Sequence, residues 1–137
     1  MRRSEAVLQA LATGFTTVLA SLATVERNTQ PPERLNKALV IIRDGDPGQP
    51  AVILSPRAYS YDHAVRVEVG AASAEDLDVV LTAIDAFIEA NRALDGLTEW
   101  LEATAPETDV EEPSGARPLH YALFDLTASY TIPTPLS

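Results

Sequence analysis

The chain contains no cysteine. That excludes disulfides, thiol nucleophiles and thiolate-held metals at once, and it is compatible with a reducing compartment. Histidine is almost as scarce, with only His63 and His120, so no pair stands at metal-ligand spacing. Aromatic residues make up 6% and there is one tryptophan, Trp100, so a core must come from Ala, Val, Leu and Ile within the 46% hydrophobic fraction. No run approaches the roughly 18–20 apolar residues of a membrane span, and no membrane partner is expected. Arg2 and Arg3 precede Ala6, Val7, Leu8, Leu11 and Ala12, but Gln9, Thr13 and Gly14 interrupt them at helical spacing. This start reads as a helix rather than a signal peptide. A nucleophile elbow, a glycine-rich phosphate loop and a nucleotide fingerprint are all missing.

Base is also scarce, and unevenly so. The net charge is −10 over 137 residues. Residues 1–67 carry eight basic and six acidic residues, or +2. Residues 68–137 carry two basic and fourteen acidic residues, or −12. Such a surface repels nucleic-acid phosphates and keeps a protein soluble. It also suits a wall that DNA slides past without sticking.

What is present is hydrophobic periodicity. Ser4 reads as a helix cap with Glu5 in the first turn, and Val7, Leu8, Leu11, Phe15, Val18, Leu19 and Leu22 predict a helix over about 5–22. Gly14 weakens it by about 1 kcal/mol against Ala. Short strands are expected over 23–28, 37–43 and 51–54, and a longer alternating one over 57–69. Ser73, with Asp76 three residues on, caps a second helix over about 74–93, striped by Leu77, Val80, Leu81, Ile84, Phe87 and Ile88. Leu97 to Glu102 suggest a helical turn, part of the acidic stretch 99–112 an exposed strand or loop, 103–117 as a whole an extended loop, and Pro133 with Pro135 an extended tail over 133–137. The expected fold is α+β: one domain over 1–137, a mainly antiparallel sheet with two helices on one face, in two layers.

The longest element is the strand from Pro118 to Ile132. His120, Ala122, Phe124, Leu126, Ala128, Tyr130 and Ile132 share one face. At about 3.3 Å per residue it runs to roughly 45 Å, whereas a globule of this length is about 30 Å across. It therefore bends or projects, and a projecting edge calls for a partner. That favours a subunit of an assembly.

Catalytic, cofactor-binding and metal-binding residues are all expected to be none. His63 and His120 each fall in an alternating apolar set, and neighbouring Asp62 and Tyr121 point to the opposite face. Asp44-Gly45-Asp46-Pro47-Gly48 has calcium-loop oxygens but lacks the later bidentate Glu, and it reads as a hairpin turn. Candidate interface residues are Asp44, Asp46, Tyr59, Tyr61 and Trp100, since aromatics anchor contacts, and the segment 44–62, with its turn and tyrosines, is the candidate for contact with a neighbouring subunit or another component of an assembly. Glu99, Glu102, Glu107, Asp109, Glu111 and Glu112, with no base among them, are candidates for an acidic lumen or a solvated loop.

Several of these motifs carry a resemblance. They are Ala38-Leu39-Val40-Ile41-Ile42-Arg43-Asp44-Gly45-Asp46-Pro47-Gly48, then Leu54-Ser55-Pro56 and Tyr59-Ser60-Tyr61-Asp62-His63. Leu94-Asp95-Gly96-Leu97 follows the second helix, and Tyr130-Thr131-Ile132-Pro133-Thr134-Pro135-Leu136 ends the chain. In this order the chain resembles the tail terminator, or tail-completion, proteins of long-tailed phages and prophages. The resemblance implies a virion protein, assembled in the host cytoplasm and placed at the head-proximal end of the tail. It implies a hexameric ring that stops tail-tube polymerisation and joins the tube to a head-side connector. DNA would pass transiently through the lumen. The partners would be further copies, the tail-tube protein and the connector or adaptor, with no cofactor and no active site to carry over. The alternatives are another neck or tail adaptor subunit, or a small transferase-type enzyme.

Overall fold

The structure, a computed structural model, describes residues 1–32, 35–112 and 118–137. Helix α1 (Arg3–Leu19) buries Val7, Leu8, Leu11, Phe15 and Leu19 at the spacing the sequence sets. Strands β1 (Ala23–Arg27), β2 (Ala38–Arg43), β3 (Ala51–Leu54) and β4 (Arg57–Ala71) follow. Helix α2 (Ala74–Ala90) begins at Ser73, whose hydroxyl accepts from the Asp76 N–H at 3.1 Å, satisfying one orphan donor of the first turn. A 3-10 turn (Leu94–Gly96) leads to β5 (Trp100–Ala103), β6 (Glu107–Glu111) and β7 (Leu119–Ile132).

The seven strands form one mixed, mostly antiparallel sheet in the order β1-β2-β4-β7-β5. Strand β3 pairs with the start of β4, and β6 with the start of β7. Only β1 and β2 run parallel. Both helices pack on the face that carries Val65, Val67 and Val69 of β4 and Phe124, Leu126 and Ala128 of β7. The fold is α+β in two layers, as the periodicity predicts. Gly14 is explained by this packing: a Cβ there would lie 2.2 Å from the Phe87 ring, so its absence lets α1 approach α2.

Several expectations are corrected. First, α1 starts at Arg3 with Arg2 in the cap position and no side-chain cap, so Ser4 is not the cap. The Arg3 N–H instead donates to the Ser137 carbonyl at 3.1 Å. The segment 133–137 is accordingly a turn folded back onto α1, closed by Ser137 N–H to Thr134 O, rather than an extended tail. Second, the turn before Trp100 sits at Leu94–Gly96, and Trp100–Ala103 is a strand. Leu101 takes a fully buried place opposite Ala128 while Trp100 and Glu102 point away, which is period two, not helical. Third, the loop over 103–117 contains β6, paired with β7 from Glu107–Leu123 to Glu111–Leu119; residues 113–117 lie outside the described residues. Neither face of β6 is covered, so no hydrophobic alternation marked it. Fourth, the long final strand finds its partners inside its own chain. Strand β4 pairs with it from Tyr59–Ile132 to Ala71–His120, and β5 and β6 occupy most of its other edge.

Candidate assembly surfaces

Four features position the candidate residues: the 44–50 loop, the β3–β4 hairpin, the helix-free sheet face and the broken outer edge beside β7. The loop is anchored from below. Arg27 on β1 donates to Asp44 at 2.9 Å and to Glu5 in the first turn of α1 at 3.0 Å, tying helix, edge strand and loop together. Asp44 also receives His63 Nε2 on its carbonyl at 2.7 Å. A carbonyl only accepts, so Nε2 carries a proton, and Nδ1 meets the Tyr130 hydroxyl at 3.3 Å, accepting from it when the ring is neutral. Both ring nitrogens of His63, a residue 1% exposed, are thereby occupied, Nε2 by the loop and Nδ1 by Tyr130 of β7. Gly45 has φ +64°, and a Cβ there would stand 2.4 Å from the Ala64 carbonyl oxygen, so only glycine lets the loop lie on β4.

Asp44 thus has a structural role within the chain, whereas Asp46 is exposed. Tyr61 is corrected as an exposed anchor: it is buried and packs against Tyr130, with ring centres 5.9 Å apart and planes tilted by 33°. Burial, followed by the nearby Tyr61, raises the Tyr130 phenol above its ordinary value. Tyr59 is half-buried, with the Arg57 guanidinium 6.0 Å from its ring centre. Trp100 is 51% exposed. Its indole donates to Glu102 at 3.0 Å, and Arg92 lies 4.5 Å over the ring. Arg92 also donates to the Leu101 carbonyl and pairs with Glu102 at 2.6 Å and with Glu89. That arginine therefore occupies β5's outward-facing carbonyl and blunts part of the edge.

The ion pair of Glu5 has a pH consequence. The Arg27 hydrogen bond, with its charge, holds the Glu5 carboxyl below its ordinary value of 4.5, against a smaller opposing effect of burial. A depressed folded value means stability that is present above the unfolded value and lost as pH falls through the folded one. Arg27→Gln is therefore expected to destabilise the protein near neutral pH, with the difference from wild type shrinking below pH 4.5. Thermal melts across pH 3–7 check this; a difference that grows on acidification would refute it.

The helix-free face gathers the acids. In β4, Asp62 and Glu68 lie on it; in β7, Asp125; in β5 and β6, Glu102, Glu107, Asp109 and Glu111. Glu99 joins by accepting from the Thr131 hydroxyl. Glu112 is exposed just beyond β6. The described basic residues of this face in β2 and β4 are Arg43 and Arg66, paired with Glu68 and with Asp125, the latter at 3.4 Å. The β6 acids alternate, so all three share one face although only Thr108 and Val110 separate them. Tyr121 stands opposite Asp109, and burial, then the Glu111 charge, raises its phenol above the ordinary value. One corner differs: Pro31, Pro32 and Leu35 cover Leu39 and Ile41 beside Tyr121.

Two further exposed features stand out, the first inside the 44–62 segment expected to meet a neighbour or the tail tube and the second not singled out from the sequence. Strand β3 is exposed at all four positions, with Val52, Ile53 and Leu54 at 52%, 47% and 83%. Their apolar run was visible; that nothing in the chain covers it was not. The second is an open groove of about 340 Å³ between α2 and the Ala103–Pro106 link, where β5 and β6 break. Among the described residues, no three His, Cys, Asp or Glu side chains cluster as a metal site, and no helix is long and apolar enough to cross a membrane.

No protein-family model matches the sequence, and no curated protein matches it. Among solved structures, the chain is similar to a chain of "Virion of native gene transfer agent (GTA) particle", with 14% identity and a TM-score of 0.43, over 94% of this chain and 96% of that one. A likeness this distant carries no inference about function.

Proposed function

We propose that the chain is a structural subunit of a phage-type virion, a tail terminator that forms a ring on the end of the tail tube. The ring stops tube growth and meets the head-side connector, and DNA passes through its lumen. The single observation that carries this reading is the unequal finish of the sheet. The interior of the sheet is fully paired, yet β3 and β6 are bare on both faces. A monomer that keeps an apolar edge strand uncovered is poised to associate. The sequence resemblance supplies the kind of assembly. The acidic helix-free face is the proposed lumen wall, since like charge keeps DNA mobile. His63 fits a structural role, because its Nε2 holds the loop.

The test is tube growth. Tail-tube protein polymerising in vitro is expected to give shorter tubes when this protein is added, with the added protein found at one end only. Tubes of unchanged length, with no protein on either end, would contradict the proposal. Binding to an isolated connector but not to tubes would favour a neck adaptor instead.

A further inference from the structure

We infer that the β3–β4 hairpin of one copy docks in the groove between α2 and the Ala103–Pro106 link of a second copy, and that this is the repeating contact of the ring. The inference rests on the ring reading and names its interface. The groove has an apolar floor of Leu81, Ile84, Ile88 and Phe124, rimmed by Asp78 and Asp85. No basic side chain among the described residues lines it. The hairpin is its complement. From Pro50 to Tyr61 the sequence has no acid and one base, Arg57. Leu54, at the tip, is 83% exposed, and Arg57 beside it makes no ion pair among the described residues. An exposed leucine next to an unpaired arginine therefore matches an apolar floor next to two aspartates.

Topology makes the contact intermolecular. Strand β3 lies outside β4, whereas the groove opens beyond β7 on the other side of the sheet. A chain cannot bring its own hairpin there. The two surfaces are different, so each copy offers one of each, and the contact is head-to-tail and repeats until a ring closes. Charge also selects this pairing over its rivals. Two grooves facing each other set aspartate against aspartate, and two hairpin tips set arginine against arginine.

The experiment is a charge swap read by the mass of the assembled species, with the protein alone and on tail-tube ends. Arg57→Glu and the pair Asp78→Arg with Asp85→Arg are each expected to weaken assembly on the order of tenfold or more, and the combined variant to recover most of the loss. All three positions are exposed, so circular dichroism should show an unchanged fold. A second readout uses the absence of cysteine: Leu54→Cys mixed with Thr82→Cys protein should cross-link on oxidation, while neither alone should. Rings that persist undiminished in Arg57→Glu would overturn this interface and leave the ring reading standing. Leu54→Cys cross-linking to itself as well as to the mixture would overturn it in favour of hairpin self-pairing. Loss of tube binding with rings intact would assign the hairpin to the tube and overturn it too. Wild-type protein that never assembles, alone or on tubes, would end both readings.

Discussion

Replacing Phe15 with alanine is expected to lower stability by about 3–5 kcal/mol. Phe15 is fully buried in the middle of α1, edge-on to Phe87 of α2 with ring centres 5.5 Å apart and planes at 83°. With so few aromatics in the chain, this pair is the main bulky contact between the helices. Gly14 already brings the Phe87 ring against the α1 backbone, so the helices have little room to close further over a cavity. The loss therefore includes the transfer of the ring and an unfilled void. Urea unfolding should show a lower midpoint with an unchanged slope. A cost below about 1 kcal/mol would mean that the site collapses, and that the helix layer is not packed as described.

The second large effect is on DNA. Changing Glu107, Asp109 and Glu111 together to lysine is expected to produce DNA retention, where the proposed lumen wall predicts none for the wild-type protein. The three side chains share the helix-free face and are exposed, so the substitution exchanges three anions for three cations without disturbing the core. Each phosphate neutralised contributes a slope of about −0.9 in log affinity against log salt for duplex DNA. Binding by the variant should therefore fall steeply with salt. In the assembled particle, DNA ejection should slow. Retention of DNA by wild-type protein at physiological salt, or a triple variant that neither binds nor slows DNA, would remove this face as the lumen wall.

Much of the fold was legible because its long elements have strong periods. The stripe of α2, the Ser73 cap and the alternation of Arg57 to Val69 each fix a secondary structure from local chemistry. The final strand was readable for the same reason, since Ala122 to Ile132 puts its even positions into the core. What escaped were elements whose neighbours decide them. Strand β6 has no buried face, so its acids read as an exposed strand or a loop, with no period to decide between them. Leu101 is one buried residue in a short strand, too little for a period. The return of Ser137 to Arg3 is a tertiary hydrogen bond with no sequence signature. Among the candidate residues, the acids of β6 were found as a charge run, but their gathering on one face required the pairing with β7. Tyr61 and Asp44 looked like surface groups because aromatic and turn residues are common there. Their places beside Tyr130 and Arg27 come from residues far away in the chain. The groove was not visible at all, because it is made where two strands break beside a helix.

A ring built from copies of this chain would be visible directly. The most direct measurement is mass and shape, by light scattering and negative-stain microscopy, of the purified protein alone and mixed with tail tubes. The expected result is a closed ring with a central pore, free in solution or seated on one end of each tube, with a mass that is a fixed multiple of 14.7 kDa. A compact monomer that ignores tubes at every concentration would contradict it.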